Sequence, residues 1–311
     1  MVRIGAVTID TSHPLAFARK LAEGSRARYT AIFNDGFRQQ DEVDAFVREF
    51  GLTHQCQTLE ELASLVDIGF VHCCNWDHRL AHVLPFVKSN TPVFVDKPIA
   101  GDLRTCLELE SLAKQGAKIF GASSARYAEE IVSFLATPLS QRGEILHISA
   151  TVGVDEFNYG IHVTEILGAL LGTGAEHVKF CGCVERSGKK LETFYVSYPQ
   201  AAATFNICFG TWQPFEVVIM TTTGTYQFRI NTERIYAALL DRIFDTLEGK
   251  TDRLATISTL TESVKIMLAA RNSRKNGGKP FPLEDLRPDE AGFSGTEFAI
   301  EYARNASKIY L

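Results

Sequence analysis

The chain has 311 residues, too many for one ordinary hydrophobic core and about right for two. Hydrophobic residues make up 45% and charged residues 22%, the balance of a folded globular protein, and the formal net charge of -5 provides no basic field for nucleic acid or anionic lipid. No stretch reaches the roughly 18 unbroken apolar residues of a spanning helix, so partners of those two kinds are not expected.

The first residues, MVRIGAVTID, enter a buried strand at once without a charged leader, and a cytoplasmic location is the expectation. Across residues 1–122 short β-branched runs alternate with amphipathic segments, the pattern of a parallel sheet wound with helices. Strands are predicted at 2–8, 28–33, 68–74, 92–95 and 117–121, with helices at 15–22, 41–50, 59–64, 78–89 and 103–115. Gly51, Gly116 and the Asn90-Thr91-Pro92 turn mark places where helix gives way to strand. From about Ile145 the runs lengthen, at 145–154, 177–185, 192–198, 202–209, 215–221 and 225–230, which suits a large, mostly antiparallel sheet. Thr222-Thr223-Gly224 is a hairpin turn between two of these strands, and helices at 161–171, 234–248 and 258–276 cover the sheet. A closing helix from Ser294 places Phe298, Tyr302 and Ile309 on its apolar side. The fold class is therefore α/β: a doubly wound Rossmann domain over 1–122 and an α+β domain over 123–311, whose final helix can pack back on the first. The seven cysteines, at 56, 73, 74, 106, 181, 183 and 208, are odd in number and lie mostly in apolar runs, so reduced, buried thiols are expected.

A turn joining the first strand to the first helix is where a Rossmann domain holds a pyrophosphate, with glycines for close approach and helix N–H groups as donors. The glycines are absent here: the turn reads Thr8-Ile9-Asp10-Thr11-Ser12-His13. Asp10 places a negative charge beside a diphosphate, whereas Thr8, Thr11 and Ser12 offer hydroxyls and cap the helix that Pro14 begins. A capped helix start with no nucleotide is the competing reading. The second strand ends in Phe33-Asn34-Asp35, where a carboxylate suits ribose hydroxyls and favours NAD, while Arg38 is close enough to meet a 2′-phosphate and keeps NADP open.

In Thr91-Pro92-Val93-Phe94-Val95-Asp96-Lys97-Pro98 a buried strand runs into an acid, a lysine and a proline, at the sheet edge where open α/β sheets bind ligands. With this motif the chain resembles the Gfo/Idh/MocA oxidoreductases, whose mark is Glu-Lys-Pro at that point. Cys73-Cys74-Asn75-Trp76 stands where the family has Ala-Thr-Pro-Asn, and Arg126-Tyr127 resembles its Arg-Phe pair. Asn158-Tyr159-Gly160-Ile161-His162 resembles its Asp-x-Gly-x-His signature, and the segment from Tyr236 through Leu283 its closing helices and final strand. The resemblance implies NAD or NADP held by residues 8–13, by Asn34, Asp35 and Arg38, by Cys74, Asn75, Trp76 and His78, and by Asp96 and Lys97. It implies a hydride transfer to or from a sugar, cyclitol or related hydroxy compound. His162 is then the general acid/base, Lys97 steadies the reacting oxygen and Asn158 orients it, with Arg126, Tyr127 and Tyr159 completing the substrate site. Asn158 stands in place of aspartate, and Glu165 in place of a second one three residues after the histidine.

His78 and His82 have the i, i+4 spacing of zinc ligands beside Asp77, but no third ligand is evident and no metal is expected. Cys73 and Cys74, neighbours on a strand, point to opposite faces and are not a redox pair. Among the aromatics Trp76, Tyr127, Phe157, Tyr159 and Trp212 are candidates for stacking on a sugar or nicotinamide ring. Strands 202–209 and 215–221 offer more apolar surface than the helices cover, so the sheet's open face is expected to be apolar and to join copies into a homodimer or homotetramer. Two further functional readings stay open: a redox-assisted lyase, glycosidase or isomerase on a sugar, and a cofactor-less binding or scaffold protein.

Overall fold

The computed structural model describes residues 1–251 and 254–306. Ile309, expected on the closing helix, lies outside the described residues. The chain divides into two compact units. One comprises Met1–Ala122, Leu240–Ile257 and the segment from Ser294, and the other comprises Ser123–Leu239 and Ser258–Phe293.

The first unit alternates strand and helix: β1 (Val2–Val7), α1 (Ser12–Ala22), β2 (Ala27–Phe33), α2 (Gln40–Phe50), β3 (His54–Gln55), α3 (Leu59–Leu65), β4 (Ile68–Val71), α4 (Arg79–Lys88), β5 (Val93–Asp96), α5 (Leu103–Lys114) and β6 (Ile119–Ala122). The strands form one parallel sheet in the order β3-β2-β1-β4-β5-β6, the doubly wound arrangement. Its strands are continuous apolar runs because both faces are covered: Ile4, Ile32, Phe70, Phe94 and Val95 are all buried. Three of the helix starts carry a side-chain cap. Thr11, Thr58 and Asp102 accept a backbone N–H at the first turns of α1, α3 and α5, and Gly51 ends α2 in the left-handed conformation. The order reverses between β1 and β4, which puts the crevice for a ligand at the carboxyl ends of those strands.

The second unit begins with a 3-10 turn at Ser124–Tyr127 and two short helices, α6 (Glu129–Ala136) and α7 (Leu139–Arg142). It continues with β7 (Ile145–Val154), α8 (Gly160–Leu171), β8 (His177–Arg186), β9 (Lys189–Ser197), β10 (Ala202–Phe209), β11 (Glu216–Thr221) and β12 (Thr225–Arg229), then α9 (Ile235–Leu247), which runs on into the first unit, α10 (Ile257–Lys275) and β13 (Phe281–Pro282). The sheet order is β12-β11-β7-β10-β9-β8-β13, antiparallel except for β7 beside β10. One face, with Ile148, Phe194, Phe205, Ile207 and Val217, is buried. The open face differs from the apolar surface expected. It carries half-buried Ser149, Thr151, Thr193, Tyr195, Thr204 and Asn206, and the Asn206 side chain accepts from Thr193 Oγ1 at 2.8 Å and donates to Thr151 Oγ1 at 3.3 Å. Strict alternation fixed which residues face outward, but short polar side chains occupy the middle strands on that side.

The last described helix, α11 (Gly295–Asn305), belongs to the first unit. Asp77, in a 3-10 turn at Trp76–His78, accepts from the N–H groups of Gly295 and Thr296, both at 2.9 Å, so a carboxylate sits on the positive end of the helix. Trp76 packs on Phe298 with ring centroids 4.7 Å apart, and Phe37 lies 6.3 Å from Tyr302. Gly295 is required for this approach: a Cβ there would stand 2.6 Å from Asn75 Oδ1 and from the Trp76 nitrogen. No helix among the described residues is long and apolar enough to cross a membrane.

Candidate active site

The carboxyl ends of β1, β2 and β4 open on a cleft of about 250 Å³. Thr8 and Asp10 line it from the first turn, Asp35, Gly36 and Phe37 from the loop after β2, Cys73, Cys74, Asn75, His78 and His82 from the segment after β4, and Thr296, Ala299, Ile300 and Ala303 from α11.

The turn that lacks glycines is built around Asp10. Thr8 takes a left-handed φ of 59°, the conformation that glycine adopts without penalty, and its buried Oγ1 is without a protein partner at the cleft. Asp10 is turned inward rather than toward a phosphate. Its carboxylate accepts from the Phe37 N–H at 3.1 Å and the Cys74 N–H at 3.2 Å, joining the loops after β1, β2 and β4. Burial pushes its pKa up, and the two backbone N–H groups oppose that rise. Gly36 makes room for it, because a Cβ there would stand 1.9 Å from Asp10 Oδ1. Thr11 caps α1, Ile9 is buried, and Ser12 is exposed at the helix start.

Arg38, a sequence candidate for a 2′-phosphate, is instead buried. Its guanidinium donates to the Asp10 carbonyl at 3.0 and 3.2 Å and to Glu42 at 2.8 Å. The carbonyl of a turn without glycines needs a donor, and the arginine supplies it. Asn34 Nδ2 donates to the Arg38 carbonyl at 3.2 Å, which closes the same loop. Asp35 keeps a side chain 42% exposed to the cleft while one oxygen meets His82 Nε2 at 3.0 Å. Burial works against a charged His82, but the hydrogen bond and charge of Asp35, together with the neighbouring Cys73, hold its pKa up at about 9. Asp35 is correspondingly lowered by His82 against the opposing effect of burial. Sequence reasoning paired His82 with His78, whose ring is 5.9 Å away, and missed the contact of His82 with Asp35 because it joins positions 47 residues apart. No group of three or more His, Cys, Asp or Glu among the described residues is placed to hold a metal ion. Trp76, read as a cofactor contact, is buried against α11 instead, because its large apolar ring seals the helix to the turn. Asn75 remains at the cleft, where it caps the 3-10 turn and donates to Thr296 Oγ1.

At the end of β5, Asp96 is the hub of a buried polar chain. Its Oδ2 lies 2.7 Å from His13 Nδ1 and 3.1 Å from His72 Nδ1, its Oδ1 accepts the Lys97 N–H at 2.8 Å, and Tyr29 Oη lies 2.8 Å from His72 Nε2. Burial alone would raise the Asp96 pKa, but the two imidazoles hold it well below the usual carboxylate range, and burial lowers that of His72. Arg79, fully buried, donates to the carbonyls of Cys73, Asp96 and Lys97 and so ties the end of β4 to the Asp-Lys-Pro turn. Lys97 is held in a buried backbone just past the strand.

In the second unit α8 carries His162. Its Nδ1 lies 2.6 Å from Ser123 Oγ, which accepts the Ala125 N–H at 3.1 Å. The hydroxyl can donate to a neutral ring and accept from an imidazolium, so it orients His162 in both protonation states. Tyr159 and Phe215 pack on the ring at centroid distances of 5.8 and 5.1 Å. Asn158, in the place of aspartate, donates to Asp155 at 3.3 Å, and Asp155 also accepts the Tyr159 N–H at 2.9 Å. A carboxylate therefore stands beside the signature, displaced by three residues. Glu165 is buried, with Oε2 accepting the Ser123 N–H at 2.6 Å and its carbonyl accepting from Arg126 at 3.0 Å. Tyr127 is buried, Phe157 stacks on Phe293 at 4.2 Å, and Trp212 is exposed.

Residues 4–123 match the family model GFO_IDH_MocA, described as an oxidoreductase family with an NAD-binding Rossmann fold. Over that segment the chain is similar to the Gfo/Idh/MocA oxidoreductases. The whole chain shares its fold with solved dehydrogenases. A probable dehydrogenase from Thermotoga maritima superposes with a TM-score of 0.80 at 13% identity, over 92% of this chain and 100% of that one. A putative myo-inositol dehydrogenase from Sinorhizobium meliloti 1021 gives 0.78 at 13%, over 91% and 100%. The scyllo-inositol dehydrogenase from Lactobacillus casei, solved with NAD(H) and scyllo-inositol, gives 0.77 at 14%, over 92% and 100%. No curated protein matches the sequence significantly.

Sequence reasoning missed Ser123, Asp155, the docking of Asp77 on α11 and the cleft face of that helix. Ser123 and Asp155 carried a signal, since each lies within a few residues of a motif. The pairing of Asp77 with α11 carried none, because it closes a loop of more than 200 residues.

Proposed function

We propose that the protein is an NAD-dependent dehydrogenase or reductase of a sugar, cyclitol or related polyol. The observation that carries the cofactor reading is the pair of fates at the end of β2: Asp35 offers a half-exposed carboxylate to the cleft, suited to ribose hydroxyls, while Arg38 is spent inside the loop and is withheld from a 2′-phosphate. The cleft fits the adenosine half of a dinucleotide, since Asp35 and the turn at Thr8 line it together. When bound, the nicotinamide takes or gives a hydride. Lys97 steadies the oxygen of the reacting carbinol, His162 moves its proton, and Asn158 with Asp155 orients the hydroxyl, with Arg126, Tyr127 and Tyr159 around the substrate. His13, through Asp96, and Cys74 and His78, at the cleft, support the cofactor.

Calorimetry with NAD and NADP tests the first step, with NAD expected to bind the more tightly. Screening inositols and sugar polyols then identifies the substrate. With it in hand, Lys97→Ala and His162→Ala should each lower turnover about a hundredfold or more, with cofactor affinity little changed. Loss of cofactor binding in these variants, or unchanged turnover, would overturn the assignment. A second reading, a binding protein without cofactor, is favoured by Asp10, which stands where the fingerprint has its second glycine. Absence of heat and of any thermal shift with either dinucleotide would establish it. Association of copies through the open sheet face, where half-buried Tyr195 and Val218 and exposed Met220 stand among its polar side chains, is part of the proposal, and a monomer by light scattering at micromolar concentration would remove it.

A further inference from the structure

The cleft has a wall that the first sheet does not supply. Thr296, Ala299, Ile300 and Ala303 follow i, i+3, i+4, i+7 spacing, so one face of α11 turns to the cleft. That face is flat and apolar: two alanines beside Ile300, which is 52% exposed although it borders a concave surface. The rest of the lining includes polar groups, the Asp35 carboxylate and the His82 imidazole. A ligand that satisfies both sides has a flat, apolar ring joined to vicinal hydroxyls, which is the chemistry of a nucleoside. The volume agrees. About 250 Å³ falls below the roughly 300 to 1,000 Å³ of sites that enclose a whole drug-sized ligand, so it encloses about one nucleoside and leaves the rest of a dinucleotide outside.

The wall is also built rather than incidental. Asp77 holds the first two amides of α11, Trp76 and Phe37 pack on Phe298 and Tyr302, and Gly295 allows the helix to lie against the backbone of Trp76. We infer that α11 forms the adenine platform of the cofactor site and that the adenosine half, not the pyrophosphate, carries most of the binding. The inference rests on the dinucleotide reading above. It assigns to α11 the attraction that the turn at residues 8–13 lost with its glycines, because a ring pressed on Ala299, Ile300 and Ala303 leaves water over an apolar surface.

Calorimetry with ADP-ribose, NAD and nicotinamide mononucleotide tests this on the full chain. The wild type should bind ADP-ribose within a few-fold of NAD, and nicotinamide mononucleotide far more weakly. Ile300→Ser, an exposed position that the fold tolerates, should weaken ADP-ribose and NAD equally, by about tenfold. Ala299→Trp should abolish both by filling the cleft, while Glu301→Ala, outside the lining, should change neither. If Ala299→Trp fails to fold, Ile300→Ser decides. NAD binding that Ile300→Ser leaves unchanged would overturn the platform and leave the redox reading intact. A wild type that binds neither NAD nor ADP-ribose would overturn both.

Discussion

Asp35 and His82 make the cleft sensitive to pH at the level of two side chains. The pKa of His82 rises from 6.5 to about 9 on folding, so the folded state binds the proton more tightly. The resulting stability is fully present below pH 6.5 and is lost as the pH climbs through 9. Burial and Cys73 act on the same imidazole, but the partner that ionises near neutrality is the ring itself. Allowing for the half-exposed carboxylate, the loss is on the order of 2 kcal/mol, or about 5 °C in melting temperature between pH 7 and 9.5. His82→Gln should flatten that slope, and a wild-type melting temperature constant over this range would refute the pairing. Asp10 makes a different prediction. Asp10→Ala strands the amides of Phe37 and Cys74 and should cost about 2 kcal/mol in denaturant unfolding, and Gly36→Ala should cost at least as much by displacing the same carboxylate. Neither role was legible beforehand. An acid in a phosphate-binding turn looks unfavourable until it is seen facing inward, and an arginine after β2 looks like a phosphate ligand until the carbonyl it serves is known.

Among the elements, those with sustained periodicity were readable and those fixed by distant partners were not. The apolar runs of β1, β2, β4 and β5 and the amphipathic stretches of α2 and α5 end within a few residues of where the sequence places them, because glycines, prolines and caps mark their limits. β3 has two residues and no pattern to read, and α6 and α7 are too short for periodicity to separate them from a loop. β7 lies parallel to β10 although the surrounding alternation suggests hairpins, since pairing across 50 residues leaves no local trace. The helical character of α11 was evident, but its docking was not. Asp77→Ala should free the helix start at a cost of about 1 to 2 kcal/mol, seen as faster amide exchange in α11 with the sheet amides unaffected. Asp77→Asn, which keeps one acceptor, should recover part of the protection. Equal exchange in all three proteins would show that the contact does not hold the helix.

At the scale of the whole molecule, about 13% identity suffices to preserve a fold with a TM-score near 0.8, because burial pattern and strand order, and not particular side chains, specify the sheets. The first unit is nevertheless discontinuous in sequence. Arg26 on one segment meets Asp245 and Glu248 on the next at 2.7 and 3.0 Å, and Asp77 meets Gly295 on the last. Contacts of such separation form late in folding, since a long loop must close before they contribute. The tryptophans allow this to be watched. The chain has only two, and Trp212 is exposed while Trp76 is sealed under Phe298. With Trp212→Phe in place, the emission of the remaining indole reports whether α11 is seated. In a urea titration its red shift should precede the loss of far-ultraviolet ellipticity, because a helix held at one end and open along one face detaches before a covered parallel sheet. Coincident curves would instead mean that α11 and the sheet unfold as one. The same emission then provides an optical assay of whether the α11 wall of the cleft is in place, and it requires neither substrate nor cofactor turnover.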